Sequence, residues 1–103
     1  MKVEIGALET LPRDRGIRVT IGEERVAMFR IGNEVFAVGD TCSHAEASLA
    51  EGEVFDHEVE CPRHGSEFDL KTGQALSLPA TRPVPTYPVA IEDGTVYLML
   101  EDS

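Results

Sequence analysis

Two short segments, Cys42-Ser43-His44 and Cys61-Pro62-Arg63-His64, hold the residues best suited to chemistry. Their order is C-x-H, sixteen residues, then C-x2-H, and together they use both cysteines and two of the three histidines. One thiolate and one imidazole from each of two loops suits a two-iron, two-sulfur cluster, with both Cys on one iron and both His on the other. Two ferric ions and two sulfides sum to a doubly positive core, which two thiolates bring to neutrality. Adding an electron to a neutral site costs less than adding one to an anionic four-cysteine site, so the His ligands raise the potential. The imidazole nitrogens not bound to iron remain free to titrate, so electron uptake couples to proton uptake at His44 and His64. The same four donors also form a valid zinc set. Zinc sites, however, more often use closely spaced cysteine pairs. A catalytic Cys–His pair explains one segment but not two matched ones.

The elements that must position these donors read as β nearly throughout. Residues 17–21 alternate apolar and polar side chains, 25–31 and 34–38 are largely apolar runs, and Gly32-Asn33 forms a tight turn between the last two. Residues 87–91 and 95–100 form a second hairpin across Asp93-Gly94. Between the hairpins lies 39–85, with both metal segments and most of the prolines. Short strands at 53–56 and 58–60 separate the two metal loops; a strand at 67–70 and a turn at 71–74 follow the second. Residues 45–50 have room for one helical turn. This pattern predicts an all-β fold: an antiparallel sandwich or barrel base carrying a cluster-binding subdomain of two loops. The whole of 1–103 is expected to be a single domain.

Composition narrows the class. The chain has 103 residues with 19 acids against 9 bases, a formal charge of -10. Phosphate backbones would be repelled, which disfavours nucleic-acid binding, while a basic protein surface would be attracted. There is no Trp, so the core must be mostly aliphatic. A domain of this size profits from a stabilising ligand. The two cysteines would suffice for one disulfide, but the His in each motif argues for metal. Met1-Lys2-Val3-Glu4-Ile5 lacks the apolar stretch of a signal peptide, and the longest apolar run is only residues 96–100. The expectation is a soluble, cytoplasmic monomer.

With these motifs in view, the chain resembles Rieske-type [2Fe-2S] ferredoxins over roughly residues 3–100. The resemblance implies that Cys42 and Cys61 bind the inner iron and that His44 and His64 bind the outer iron near the surface. It extends through His64-Gly65-Ser66-Glu67-Phe68-Asp69. It also implies a proline-bearing loop over the cluster, where Leu78-Pro79-Ala80-Thr81-Arg82-Pro83 stands. Gly65, Ser66 and Pro79 thereby become supporting residues. Two departures from the membrane-complex members matter. Ala47 and Arg63 occupy the positions of their extra disulfide cysteines, and Phe68 replaces a hydroxyl-bearing Tyr. Ser66 keeps its hydroxyl. Each hydrogen bond to cluster sulfur stabilises the reduced form, so the chain should be a low-potential member.

Other residues have plainer readings. His57 is expected on a surface turn, outside the ligand set. Gly65 should permit an unusual backbone angle. The acidic stretch Glu51, Glu53, Asp56, Glu58 and Glu60 is either a docking face or a solvated, charge-protected strand edge, and Glu46, Glu51, Glu53, Glu67 and Asp69 surround the metal segments. Arg63 either contacts a partner or neutralises these acids.

The function implied by the resemblance is single-electron transport from a flavin-dependent reductase to a terminal ring-hydroxylating oxygenase, with docking at the His44/His64 tip. The chain has no catalytic residues of its own. A mononuclear 2-His-1-carboxylate iron site is excluded, because only His57 remains after the cluster. Two alternatives stay open: a Rieske subunit or accessory redox protein of nitrite reductase or an iron–sulfur assembly system, and a zinc-stabilised interaction module.

Overall fold

Alternating side chains and two-residue turns build most of this chain. A computed structural model describes residues 1–42, 47–63, 65–78 and 82–100. The strands are β1 (Lys2–Ala7), β2 (Gly16–Ile21), β3 (Glu24–Ile31), β4 (Glu34–Gly39), β5 (Glu53–Phe55), β6 (Glu58–Glu60), β7 (Glu67–Asp69), β8 (Thr86–Tyr87), β9 (Val89–Glu92) and β10 (Thr95–Met99). They form three antiparallel sheets in the orders β1-β10-β9, β2-β3-β4-β8 and β5-β6-β7. Among the described residues the only helical segments are single 3-10 turns at Leu8–Thr10 and Leu49–Glu51. The second takes up the end of the helical turn expected at 45–50; residues 45 and 46 lie outside the described set.

The hairpins follow from turn chemistry. Ile21 faces Glu24 and Ile31 faces Glu34, leaving two-residue loops that start at Gly22 and Gly32. Both glycines have positive φ, 61° and 64°, as the first position of a type II′ turn requires. Such turns match the twist of the flanking strands and fix their register.

Strand β3 is the centre of the molecule because both of its faces are buried. Val26 and Met28 point into one apolar cluster with Val35, Ala37, Val96 and Leu98. Ala27 and Phe29 point the opposite way, into a second cluster with Val38, Leu49, Val59, Phe68, Leu70 and Val84. Successive strand residues alternate faces, so one eight-residue strand serves two cores. Full burial of a side chain like Met28 or Phe29 contributes about 1.5–3 kcal/mol. Buried Arg30 ties the first 3-10 turn to this strand: its Nε donates to the Gly32 carbonyl at 2.9 Å and its Nη1 to the Leu8 carbonyl at 3.0 Å.

The segment 39–85 leaves and rejoins the base at one point. Gly39 N–H donates to the Pro85 carbonyl at 2.8 Å. A Cβ at Gly39 would stand 2.9 Å from the Pro85 ring, so this close approach needs glycine.

Three elements differ from the sequence reading. The strand expected at 87–91 is two strands in two sheets: β8 pairs with β4, and β9 pairs with β10. Pro88 separates them, since it has no N–H with which to continue a ladder. Strand β1 was not singled out from the sequence; its short alternation is interrupted by a register shift between Glu4 and Gly6. The strand expected at 53–56 ends at Phe55, because Asp56 turns with φ 51°.

Candidate metal centre

Each cysteine opens a short loop closed in the same way. In the first, Cys42 N–H donates to the Ala47 carbonyl at 3.0 Å. In the second, Cys61 N–H donates to the Ser66 carbonyl at 2.6 Å. Both bonds reach a carbonyl five residues on, so both thiols are presented from the start of a closed loop. The first loop is braced from outside by Asp40, which is 2% exposed. Its Oδ1 accepts from Ser48 Oγ at 2.7 Å and from Ala50 N–H at 3.1 Å, and its carbonyl accepts from Leu49 N–H at 2.7 Å. The second loop is tightened by Gly65 N–H donating to the Cys61 carbonyl at 3.0 Å. It is held to the following segment by Glu67 N–H donating to Ser77 Oγ at 2.9 Å.

The two thiols meet in the same apolar cluster, packed with Phe68, Leu49 and Val84. Cys42 is 3% and Cys61 1% exposed, and neither is in a disulfide. Two buried soft donors held on separate closed loops fit an iron–sulfur cluster, whose sulfurs and thiolates tolerate an apolar wall. Gly65 has φ 74° with open space where a Cβ would be, so the backbone angle rather than crowding requires glycine. Ser66 is fully buried directly behind the second loop. His44, His64 and Pro79 lie outside the described residues.

Phe68 is fully buried in the cysteine cluster and brings no hydroxyl there. Ala47 packs on the same cluster, and Arg63 is exposed. His57 corrects an expectation. It does sit in the β5–β6 turn, but it is half-buried, with its ring edge-on to Phe36 at 5.4 Å. Its carbonyl accepts from Leu70 N–H at 2.8 Å, so it is a packing residue of the subdomain. The sequence reading missed Asp40 and Ser77. An acid two positions before a candidate ligand was the available signal for the first; nothing local marked the second.

Strands β5–β7 turn Val54, Val59 and Phe68 inward and leave their other face to acids and the exposed Phe55. Glu53 faces Glu60, Glu60 faces Glu67, and Glu58 faces Asp69 across the sheet. Like charges directly opposite one another are destabilising. The Glu58 carboxyl is pushed above the ordinary carboxylate range, first by loss of hydration, then by a hydrogen bond with Glu67 and the charges of Glu67, Asp69 and Asp56. Among the described residues no helix is long and apolar enough to cross a membrane.

Comparison with known proteins agrees with this geometry. Residues 1–88 match the family of Rieske [2Fe-2S] domains. The chain is 46% identical over 96 residues to the 3-phenylpropionate/cinnamic acid dioxygenase ferredoxin subunit of Photorhabdus laumondii, covering 92% of this chain and 90% of that protein. Its fold matches the ferredoxin of carbazole 1,9a-dioxygenase from Nocardioides aromaticivorans with a TM-score of 0.93 and 30% identity, over 97% of this chain and 98% of that one. It also matches a chain in a complex of reduced oxygenase and oxidized ferredoxin of carbazole 1,9a-dioxygenase, with a TM-score of 0.90 and 34% identity, over 94% of this chain and all of that one (100%).

Proposed function

This chain belongs to the Rieske [2Fe-2S] domain family, and from that premise we propose that it is the ferredoxin of a ring-hydroxylating oxygenase system. It carries electrons and is not an enzyme by itself. A single observation carries the reading: two buried cysteines, in no disulfide, on similarly closed loops in one apolar cluster, within a chain that aligns almost end to end with dioxygenase ferredoxins.

We assign Cys42 and Cys61 to the inner iron and His44 and His64 to the outer one, within a single domain whose segment 39–85 forms the cluster-binding part. When bound, the cluster supplies one-electron redox chemistry with a His-ligated iron. The chain's own residues shape that chemistry. The apolar wall of Leu49, Phe68 and Val84 excludes water from the thiolate side. We assign buried Ser66 as a donor to a cluster sulfur, while Phe68 offers no donor, which keeps the potential low. Gly65 lets the second loop turn back on itself, and Pro79 is assigned to the loop covering the cluster.

A flavin-dependent reductase is the proposed electron donor and a terminal oxygenase the acceptor, both meeting a monomeric, cytoplasmic carrier at the His44/His64 end. The name of the Photorhabdus relative suggests an aryl-substituted short-chain carboxylic acid as the oxygenase's substrate.

Reconstituted protein should contain about two irons and two acid-labile sulfides per chain, and dithionite should produce a mixed-valence paramagnetic signal. Stoichiometric zinc with no colour, under conditions that allow cluster assembly, overturns the redox reading.

A further inference from the structure

The described residues of this acidic chain include a cleft with the opposite charge. It holds about 410 Å³ and is lined by Arg18, Arg25, Asp40, Thr41, Ala47 and Ser48. Arg18 lies opposite Ala27 and Arg25 opposite Thr20 in the β2–β3 ladder, so the two arginines are diagonal neighbours on one face. That face is the one carrying Ala27 and Phe29 towards the cysteines. Both arginines are exposed, and neither forms an ion pair among the described residues. Two other cations are already occupied: Lys2 pairs with Glu92 at 2.7 Å, and Arg30 is buried against backbone carbonyls. Asp40 is the cleft's one acid, but it is buried, and its Oδ1 is taken by Ser48 and Ala50. Two solvent-facing guanidiniums therefore outnumber one committed carboxylate.

The cleft's position gives it a use. Thr41 directly precedes Cys42, and Ala47 closes the Cys42 loop, so anything bound there abuts the first cysteine loop. The acidic face of β5–β7 leads into and out of the second loop. Opposite charges thus flank the electron-exchanging end, one beside each loop. A guanidinium matches a carboxylate as a bidentate partner.

We propose that the Arg18–Arg25 cleft is a docking socket for a carboxylate side chain of the redox partner protein. Its positive charge complements an acid that the rest of this surface repels. With a basic rim on the partner meeting the β5–β7 face, the socket fixes the rotation of the complex about the cysteine-loop axis. The inference rests on the reading of this chain as a carrier that exchanges electrons at its cysteine-loop end.

The test uses the reduced, cluster-loaded protein and small oxidants at low ionic strength. Hexacyanoferrate(III) takes one electron and becomes hexacyanoferrate(II); as an anion it reports on the cleft. Arg18→Gln/Arg25→Gln is compared with Arg13→Gln/Arg15→Gln, which removes the same charge from exposed arginines outside the cleft. The cleft pair should slow the anionic oxidant about three- to tenfold more than the control pair. A hexa-aspartate peptide should inhibit that reaction in the wild type but not in the cleft variant, with iron content and visible spectrum unchanged in all proteins. Equal slowing in the two arginine pairs, or equal inhibition by the peptide, overturns the socket. The acidic-face reading is tested separately, with tris(phenanthroline)cobalt(III) and Glu60→Gln/Glu67→Gln. Loss of charge dependence there removes the basic-rim partner while leaving the socket intact.

Discussion

The two apolar clusters on either side of β3 are built by different means. The base cluster packs Val26, Met28, Val35, Ala37, Val96 and Leu98 between long ladders, and every side chain in it is apolar. The cysteine cluster leans partly on three-residue strands and includes both cysteine thiols. Its loops are closed by single hydrogen bonds and braced by polar side chains such as Asp40 and Ser77. Apolar area stabilises the first cluster without a ligand. The second has apolar area too, but its loops rest on single hydrogen bonds, so cofactor binding should add to its stability. The contrast teaches where each kind of damage should appear.

The largest effect is expected at the ligands. Cys42→Ala, Cys61→Ala, His44→Ala and His64→Ala should each abolish or strongly deplete iron and labile sulfide, whereas His57→Ala should retain both. Limited proteolysis of the ligand variants should cut within 39–85 first and spare the β1–β10–β9 sheet. Cleavage spread evenly along the chain would dissolve the distinction between the two clusters.

Next is a cavity in the base. Leu98→Ala should cost about 2–5 kcal/mol in a denaturant titration, because Leu98 is fully buried. The cluster's reduced spectrum should be unchanged in the folded fraction. An altered spectrum would mean that β3 transmits base packing to the cofactor.

A smaller change tunes the cofactor without unloading it. The midpoint potential should lie towards the low end of the roughly -150 to +300 mV Rieske span. Ser66→Ala should lower it by removing a donor, and Phe68→Tyr should raise it by adding one. Voltammetry that orders the three proteins otherwise refutes this account of tuning.

The smallest effect concerns the acidic face. The Glu58 carboxyl titrates higher in the folded protein than in the unfolded chain. Between those two values the folded state holds a proton that the unfolded state has released, so stability falls as pH rises through that interval. Glu58→Gln should therefore raise the melting temperature at neutral pH and flatten its pH dependence above the ordinary carboxylate range. A variant that melts lower at neutral pH would show that the carboxylate is instead held by a favourable contact.

Much of this was legible in the sequence, for identifiable reasons. The donor motifs are local, and Gly32-Asn33 and Asp93-Gly94 declare their turns by residue type. The apolar runs along β3 and β4 were visible, but the burial of both faces was not read from them, since Arg25 and Arg30 give β3 a half-polar look. Pro88 was in plain view, yet a proline does not say that the chain changes sheets there. His57 looked like a surface residue because its sequence neighbours are acids; its packing partner, Phe36, is distant in the chain. Asp40 reads as an ordinary loop acid until the fold brings Ser48 and Ala50 to it.

The contact between Gly39 and Pro85 makes the segment between them a cassette. Its two ends are already together, so holding them costs the rest of the chain little loop-closure entropy, and that cost grows only slowly with length. Loops within the cassette can lengthen, shorten or be exchanged for another partner's shape without shifting the register of β4 or β8. The same junction could be transplanted: any sheet offering two adjacent strand ends, with a glycine where the proline ring must lie, could receive this electron-carrying tip.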